Sequence, residues 1–182
     1  MATTELQLQK LDKAFDQLDI NHNGQIQRDD LIGLATRLIL GFGQPASSEK
    51  ARNVLRLCEA LWNELAAEAD IDRDESISPA EFREAMISAY IEGGRFDKTF
   101  APTTRSWATL ADLDTDGFVA LADFRTMHAA FGAQDHDTRV AVAALDPRNE
   151  GRLSVPVIVV AAREYYISAD PHAPGNLFFG RL

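Results

Sequence analysis

The sequence has little of what several protein classes require. One cysteine, Cys58, stands in 182 residues, so no internal disulfide framework is available. Lysine and arginine number 18 against 28 acidic residues, a formal net charge of −10. Capture of nucleic acid or an anionic membrane needs a basic footprint, so neither is an expected partner. No apolar run reaches the ~18–20 residues that span a bilayer. The segment Met1-Ala2-Thr3-Thr4-Glu5 lacks the basic start and apolar stretch of a secretory signal, so a cytoplasmic monomer is expected. His22, His128, His136 and His172 are scattered, without the spacing of a zinc site. No grouping of nucleophile and base emerges from spacing, so no catalytic residue is assigned and no enzyme is expected. Gly41-Phe42-Gly43 follows a helical pattern and reads as a stop into Pro45 rather than a phosphate cradle.

What is present is a repeat. Four segments share polar residues at alternate positions followed by an aliphatic residue, beginning at Asp19, Asp70, Asp112 and Asp146. Counted from each Asp, the eighth position is Ile26, Ile77, Val119 and Leu153, and the thirteenth is Leu31, Phe82, Phe124 and Ile158. Agreement at both positions in every copy marks one duplicated unit.

Apolar spacing between the copies is helical. Leu8, Leu11, Phe15 and Leu18 lead into the first loop, and Leu31, Leu34, Leu38 and Ile39 lead out. A helix from about Ser48 to Ala69 carries Val54, Cys58, Leu61, Trp62 and Leu65, where Cys58 reads as a small core residue. Ser78-Pro79-Ala80-Glu81 is a capping box with proline at the first helical position. Gly93-Gly94 divides the chain into residues 1–92 and 95–182, two units of two repeats each. The stretch Ile158 to Tyr166 is more β-branched than a helix prefers, so its helical assignment rests on the repeat.

The loops carry the chemistry. A hard divalent cation takes six to eight oxygens, and a twelve-residue loop presents them from positions 1, 3, 5, 7, 9 and 12, with glycine at 6 for a sharp turn. Such a pattern between amphipathic helices, found repeatedly, is a specific signal. On these residues the chain resembles the EF-hand superfamily over nearly its whole length, and is most similar to the sarcoplasmic calcium-binding proteins and calerythrin. The resemblance implies an all-α fold of four helix–loop–helix units in two pairs, with short antiparallel β contacts between paired loops, and a Ca²⁺ cofactor.

Each loop is weighed by its own residues. Loop three offers Asp112, Asp114, Asp116, the Phe118 carbonyl and a closing Asp123, around Gly117. Loop one has the same shape with less charge: Asp19, Asn21, Asn23, Gln25 and Asp30, around Gly24. Both close with Asp, one methylene shorter than Glu, so a smaller site that also admits Mg²⁺ is expected. Loop two has Asp70, Asp72, Asp74, Ser76 and a closing Glu81, but Glu75 stands where glycine is expected. A left-handed non-glycine residue costs about 1–2 kcal/mol. A micromolar site is worth roughly 8 kcal/mol, so binding is weakened about tenfold rather than lost. Loop four has Arg148 at position 3 and Val157 at position 12, and reads as a relic kept to pair with loop three.

These readings lead to a calcium-binding protein with about three working sites, expected to serve as a cytosolic buffer or transporter. The alternatives are a sensor that regulates a target protein, and a photoprotein or luciferin-binding-like carrier in which Trp62, Trp107, Tyr90 and the histidines line a cavity. Only Met1, Met86 and Met127 are available, too few for the flexible methionine groove of a sensor. Leu177, Phe178 and Phe179, beyond Pro171 and Pro174, are expected to fold back between the two halves and fill an apolar cleft.

Overall fold

The computed structural model describes residues 3–182; Met1 and Ala2, on which the leader reading partly rests, lie outside them. The chain runs through α1 (Glu5–Leu18), α2 (Arg28–Gly41), α3 (Glu49–Ala69), α4 (Pro79–Ala85), α5 (Phe96–Ala111), β1 (Phe118–Ala120), α6 (Leu121–Ala130), α7 (Asp135–Leu145), β2 (Arg152–Ser154) and α8 (Val155–Ile167). A π-helical segment, Met86–Glu92, extends α4, and a 3₁₀ turn, Pro174–Leu177, follows α8.

The helices begin where side chains can satisfy their orphan N–H groups. Gln7 N–H donates to Thr4 Oγ1 at 3.2 Å and Thr4 N–H to Gln7 Oε1 at 3.0 Å, a reciprocal cap on α1. Ser48 Oγ accepts from Ala51 N–H at 3.1 Å at the start of α3, and Ser154 Oγ from Val157 N–H at 3.3 Å at the start of α8. Despite its β-branched residues α8 is helical, because Ile158, Val159, Ala161, Ala162, Tyr165 and Tyr166 are buried on it. Packing overrides propensity there. The π-helical segment ends at Gly93, where a Cβ would stand 2.6 Å from the Ala89 carbonyl oxygen.

Loops pair as the eighth positions foretold. Ile26 and Ile77 exchange N–H···O bonds of 2.9 Å as an isolated bridge. The second pair forms a longer contact, β1 against β2, with Val119 opposite Leu153 and Ala120 opposite Arg152. One continuous core joins both halves, with α3 packed along α5 and α5 along α8. Phe15 meets Phe82 edge to face; Phe96 stacks on Phe100, Tyr166 packs tilted against both, and Tyr90 of the π-helical segment meets Phe100 edge on.

Lys10 sits on the apolar stripe of α1 and is fully buried. Its ammonium donates to the carbonyls of Glu164 and Ser168, at 3.0 and 2.7 Å, and to Asn176 Oδ1 at 2.9 Å. Burial nevertheless lowers its pKa to about 8, against the opposing pull of Glu164. It ties α1 to the end of α8 and to the tail.

The tail folds back, but not into the position expected. Phe178 and Phe179 are buried against Phe124 and His128 of α6, Phe131 just beyond it, and Tyr165 of α8. They fill the apolar cleft of the second pair rather than a space between the halves. That cleft presents an aromatic wall of Phe124, Phe131 and Tyr165 on which the two rings pack. Leu177 stays half-buried. Two polar contacts tie the tail to the first half, Lys10 to Asn176 and Lys13 to the Arg181 carbonyl.

Candidate metal centre

All four loops share one frame. The first aspartate caps the incoming helix, and its two carboxylate oxygens accept the N–H groups of positions 5 and 6. Asp19 holds Asn23 and Gly24 at 3.1 and 2.8 Å. Asp70 holds Asp74 and Glu75 at 3.1 and 3.2 Å. Asp112 holds Asp116 and Gly117 at 3.2 and 3.0 Å, and Asp146 holds Glu150 and Gly151 at 2.8 and 2.9 Å. These bonds turn the chain tightly enough to point the alternate side chains at one centre. Loop four keeps them without a ligand set, so the first aspartate is a loop-former in its own right.

Position 6 is left-handed in every copy, including Glu75 at φ 64°. The sequence reading missed that position 4 is left-handed as well, at His22, Arg73, Thr115 and Asn149. Loop two therefore carries two non-glycine residues in that region, Arg73 and Glu75.

The carboxylates converge in loops two and three. Oxygens of Asp70, Asp72 and Asp74 lie within 4.8 Å of one another, as do those of Asp112, Asp114 and Asp116. Ligand oxygens at 2.3–2.6 Å around a single Ca²⁺ are spread over at most about 5 Å, so each set fits one ion. Loop one brings Asp19, Asn21, Asn23 and Gln25 onto the same frame with fewer charges. Loop four does not fit: Arg148 pairs with Glu150 at 3.2 Å, and Val157 is an exposed aliphatic at the closing position.

The closing residues divide into two kinds. Asp30 is buried and holds the start of α2: Oδ1 accepts the Asn21 N–H at 3.2 Å and the Asn21 amide at 2.8 Å, and Oδ2 accepts Gln27 N–H at 2.9 Å. Burial pushes its carboxyl above the usual range, against those bonds. Glu81 caps α4 through Ser78, whose hydroxyl at 2.6 Å and N–H at 2.9 Å hold Oε2 and pull its pKa down. Asp123 makes no such bond among the described residues; the N-cap of α6 is Ala120, which has no hydroxyl to donate. Ser76 turns toward Asp74 Oδ1, 2.7 Å away, and Gln25 Oε1, 2.6 Å away, joining position 7 of one loop to position 7 of its partner.

Two contacts around loop three were absent from the sequence reading. Lys50 of α3 donates its ammonium to the Asp112 carbonyl. Arg152, at position 7 of loop four, reaches Asp116 Oδ2 at 3.2 Å and lies over the Phe118 ring at 4.0 Å. The pairing of Val119 with Leu153 brings their neighbours together across the strands, so Arg152 was foreseeable; Lys50 depends on helix packing.

This arrangement defines a divalent-cation-binding protein built from paired helix–loop–helix units. The EF hand family model matches residues 11–35, the first hand up to the middle of α2. A Streptomyces coelicolor calcium-binding protein, described as a structural basis for prokaryotic calcium-mediated regulation, has a TM-score of 0.78 and 32% identity, covering 90% of this chain and 99% of that one. The chain belongs to the EF-hand calcium-binding proteins. It is similar to calerythrin of Saccharopolyspora erythraea, 24% identical over 166 residues, 90% of this chain and 94% of calerythrin. The sarcoplasmic calcium-binding protein alpha chain of Penaeus vannamei is 31% identical over 112 residues, 59% of this chain and 57% of its own length. The Streptomyces and Penaeus relatives are calcium-binding proteins.

Proposed function

We propose that this calcium-binding chain is a buffer or transporter holding three ions, in loops one, two and three. Asp19, Asn21, Asn23, Gln25 and Asp30 would hold the first; Asp70, Asp72, Asp74, Ser76 and Glu81 the second; Asp112, Asp114, Asp116, the Phe118 carbonyl and Asp123 the third. The aspartate closure of loops one and three favours a site that also takes Mg²⁺. Residues 1–92 and 95–182 each form one pair of hands around the shared core.

The observation that carries the buffer reading is the tail. Phe178 and Phe179 occupy the cleft in which a sensor takes its target helix, leaving that cleft already filled. The aromatics a light-emitting carrier would turn to a ligand pack on protein instead: Trp107 on Phe131 and Cys58, Tyr90 on Phe100. No helix among the described residues is long and apolar enough to cross a membrane. Regulation by the Streptomyces coelicolor relative keeps a sensor as the second reading, and an apolar groove of about 350 Å³ bordered by Leu145, Pro147, Val157 and Val160 is open to a partner.

Isothermal titration with Ca²⁺ and then Mg²⁺, run beside a hydrophobic dye, tests the proposal. Three ions bound without new dye binding is the expected result. A fourth ion overturns the assignment of loop four, and a Ca²⁺-dependent rise in dye fluorescence favours the sensor.

A further inference from the structure

Loop four has lost its ion ligands, yet it still touches the ligand set of loop three. The strand register sets Arg152 opposite Ala120, on the rim of a cavity of about 300 Å³ that Asp114, Asp116, Phe118 and Asp123 also line. Its guanidinium lies 3.2 Å from Asp116 Oδ2 and rests on the Phe118 ring, 4.0 Å from the centroid. Asp116 Oδ1 is meanwhile held by the Phe118 N–H at 2.8 Å. In the first pair the matching cross-loop contact is neutral, the Ser76 hydroxyl beside the Gln25 amide oxygen at 2.6 Å.

We infer that Arg152 is an internal counter-cation for loop three, and that loop four is retained partly to deliver it. The reading rests on loop three being an ion site. A guanidinium over a position-5 carboxylate offsets one charge of the empty loop, easing repulsion among Asp112, Asp114 and Asp116. It also opposes any second cation at the same carboxylate, so Arg152 must release Asp116 before that oxygen is available to a metal. Stacking on Phe118 keeps the released guanidinium at the rim, close enough to return. Loop three is thereby set to a weaker affinity than its four aspartates alone would give.

The test compares Arg152→Gln and Arg152→Lys with the natural chain, each full length, by isothermal Ca²⁺ titration at low and high salt. Thermal melts in chelator establish that each variant is folded. Arg152→Gln is expected to tighten one site about three- to tenfold at low salt, with the gain shrinking as salt screens the charge. Arg152→Lys keeps the charge and should stay near the natural affinity. Unchanged or weaker binding in Arg152→Gln, or equal tightening in both variants, overturns the inference. Asp123→Ala separates this failure from failure of the loop-three assignment. If that variant still binds every ion the natural chain does, loop three is not a site. If it loses one, Arg152→Gln must have no effect in its background. Should Arg152→Gln fail to fold, Arg152→Lys and the natural chain still decide, because a loop-three affinity that does not rise with salt relative to loop two, which has the same number of ligand carboxylates, contradicts the counter-cation.

Discussion

The two halves are copies of one pair of hands that have been stabilised in different ways. In the first, both loops keep oxygen-bearing side chains at the alternate positions, and both closing carboxylates cap helices: Asp30 holds Gln27 and Asn21, and Glu81 holds Ser78. Their loops meet through a single bridge, Ile26 to Ile77. In the second, one loop has Arg148 and Val157 at positions 3 and 12, and the other closes with Asp123, which caps no helix among the described residues. A three-residue strand pair and an aromatic tail are found there instead. The comparison teaches that pairing and ion ligation are separable. A hand released from binding persists where its eighth residue, its first aspartate and its buried helix face persist.

The strongest way to break the comparison is to remove the tail. Truncation after Gly175 deletes Phe178 and Phe179, and large-to-small changes at buried phenylalanines cost about 3–5 kcal/mol each. A fall in melting temperature beyond 10 °C is expected by calorimetry, at roughly 4 °C or less per kcal/mol for a chain of this size. Leu40→Ala in the first half, at a side chain 72% exposed, should change stability by under about 0.5 kcal/mol. A truncated chain as stable as the full one would falsify the plug.

Acid should find the second half first. His128 is fully buried among Phe124, Phe178 and Phe179, and burial lowers its pKa to about 3 from an ordinary 6.5. The unfolded chain therefore binds a proton that the folded chain refuses between those values. Stability from this group is complete above pH 6.5 and is lost as pH falls toward 3, by at most about 1.4 kcal/mol per pH unit. Denaturant titrations across that window should show a shallower acid slope for His128→Leu; parallel slopes would remove His128 from the account.

The closing residues sharpen the contrast at smaller cost. In chelator, Asp30→Ala should lose about 1–2 kcal/mol, the worth of a helix cap, whereas Asp123→Ala should stay within about 0.5 kcal/mol. Equal losses in denaturant would show that Asp123 also organises its loop. Glu75→Gly acts on the ion rather than on the fold. Relief of its left-handed backbone should tighten loop two by up to about tenfold, read by titration, while loops one and three hold their affinities. A weakened loop two would assign Glu75 a part in holding the ion.

Much of this was written in the chain. The Asp19, Asp70, Asp112 and Asp146 frames, the Val119–Leu153 and Ile26–Ile77 pairings, the Ser78–Glu81 cap and the burial of Cys58 all follow from local pattern. Loop geometry is short-range, so residue type and spacing determine it. Left-handed turns at His22, Arg73, Thr115 and Asn149 were hidden, because no shared residue type marks position 4.

The tertiary structure alone decided the rest. Nothing in the sequence marks Lys10 for burial; α8 and the tail bring Glu164, Ser168 and Asn176 to its ammonium. His128 reads as a loose histidine until Phe178 and Phe179 exclude water from it. The tail's apolar character was plain in the sequence, but its seat in the second pair depended on which cleft already offered Phe124, Phe131 and Tyr165. Burial and charge pairing depend on residues far apart along the chain, and only packing brings them within reach.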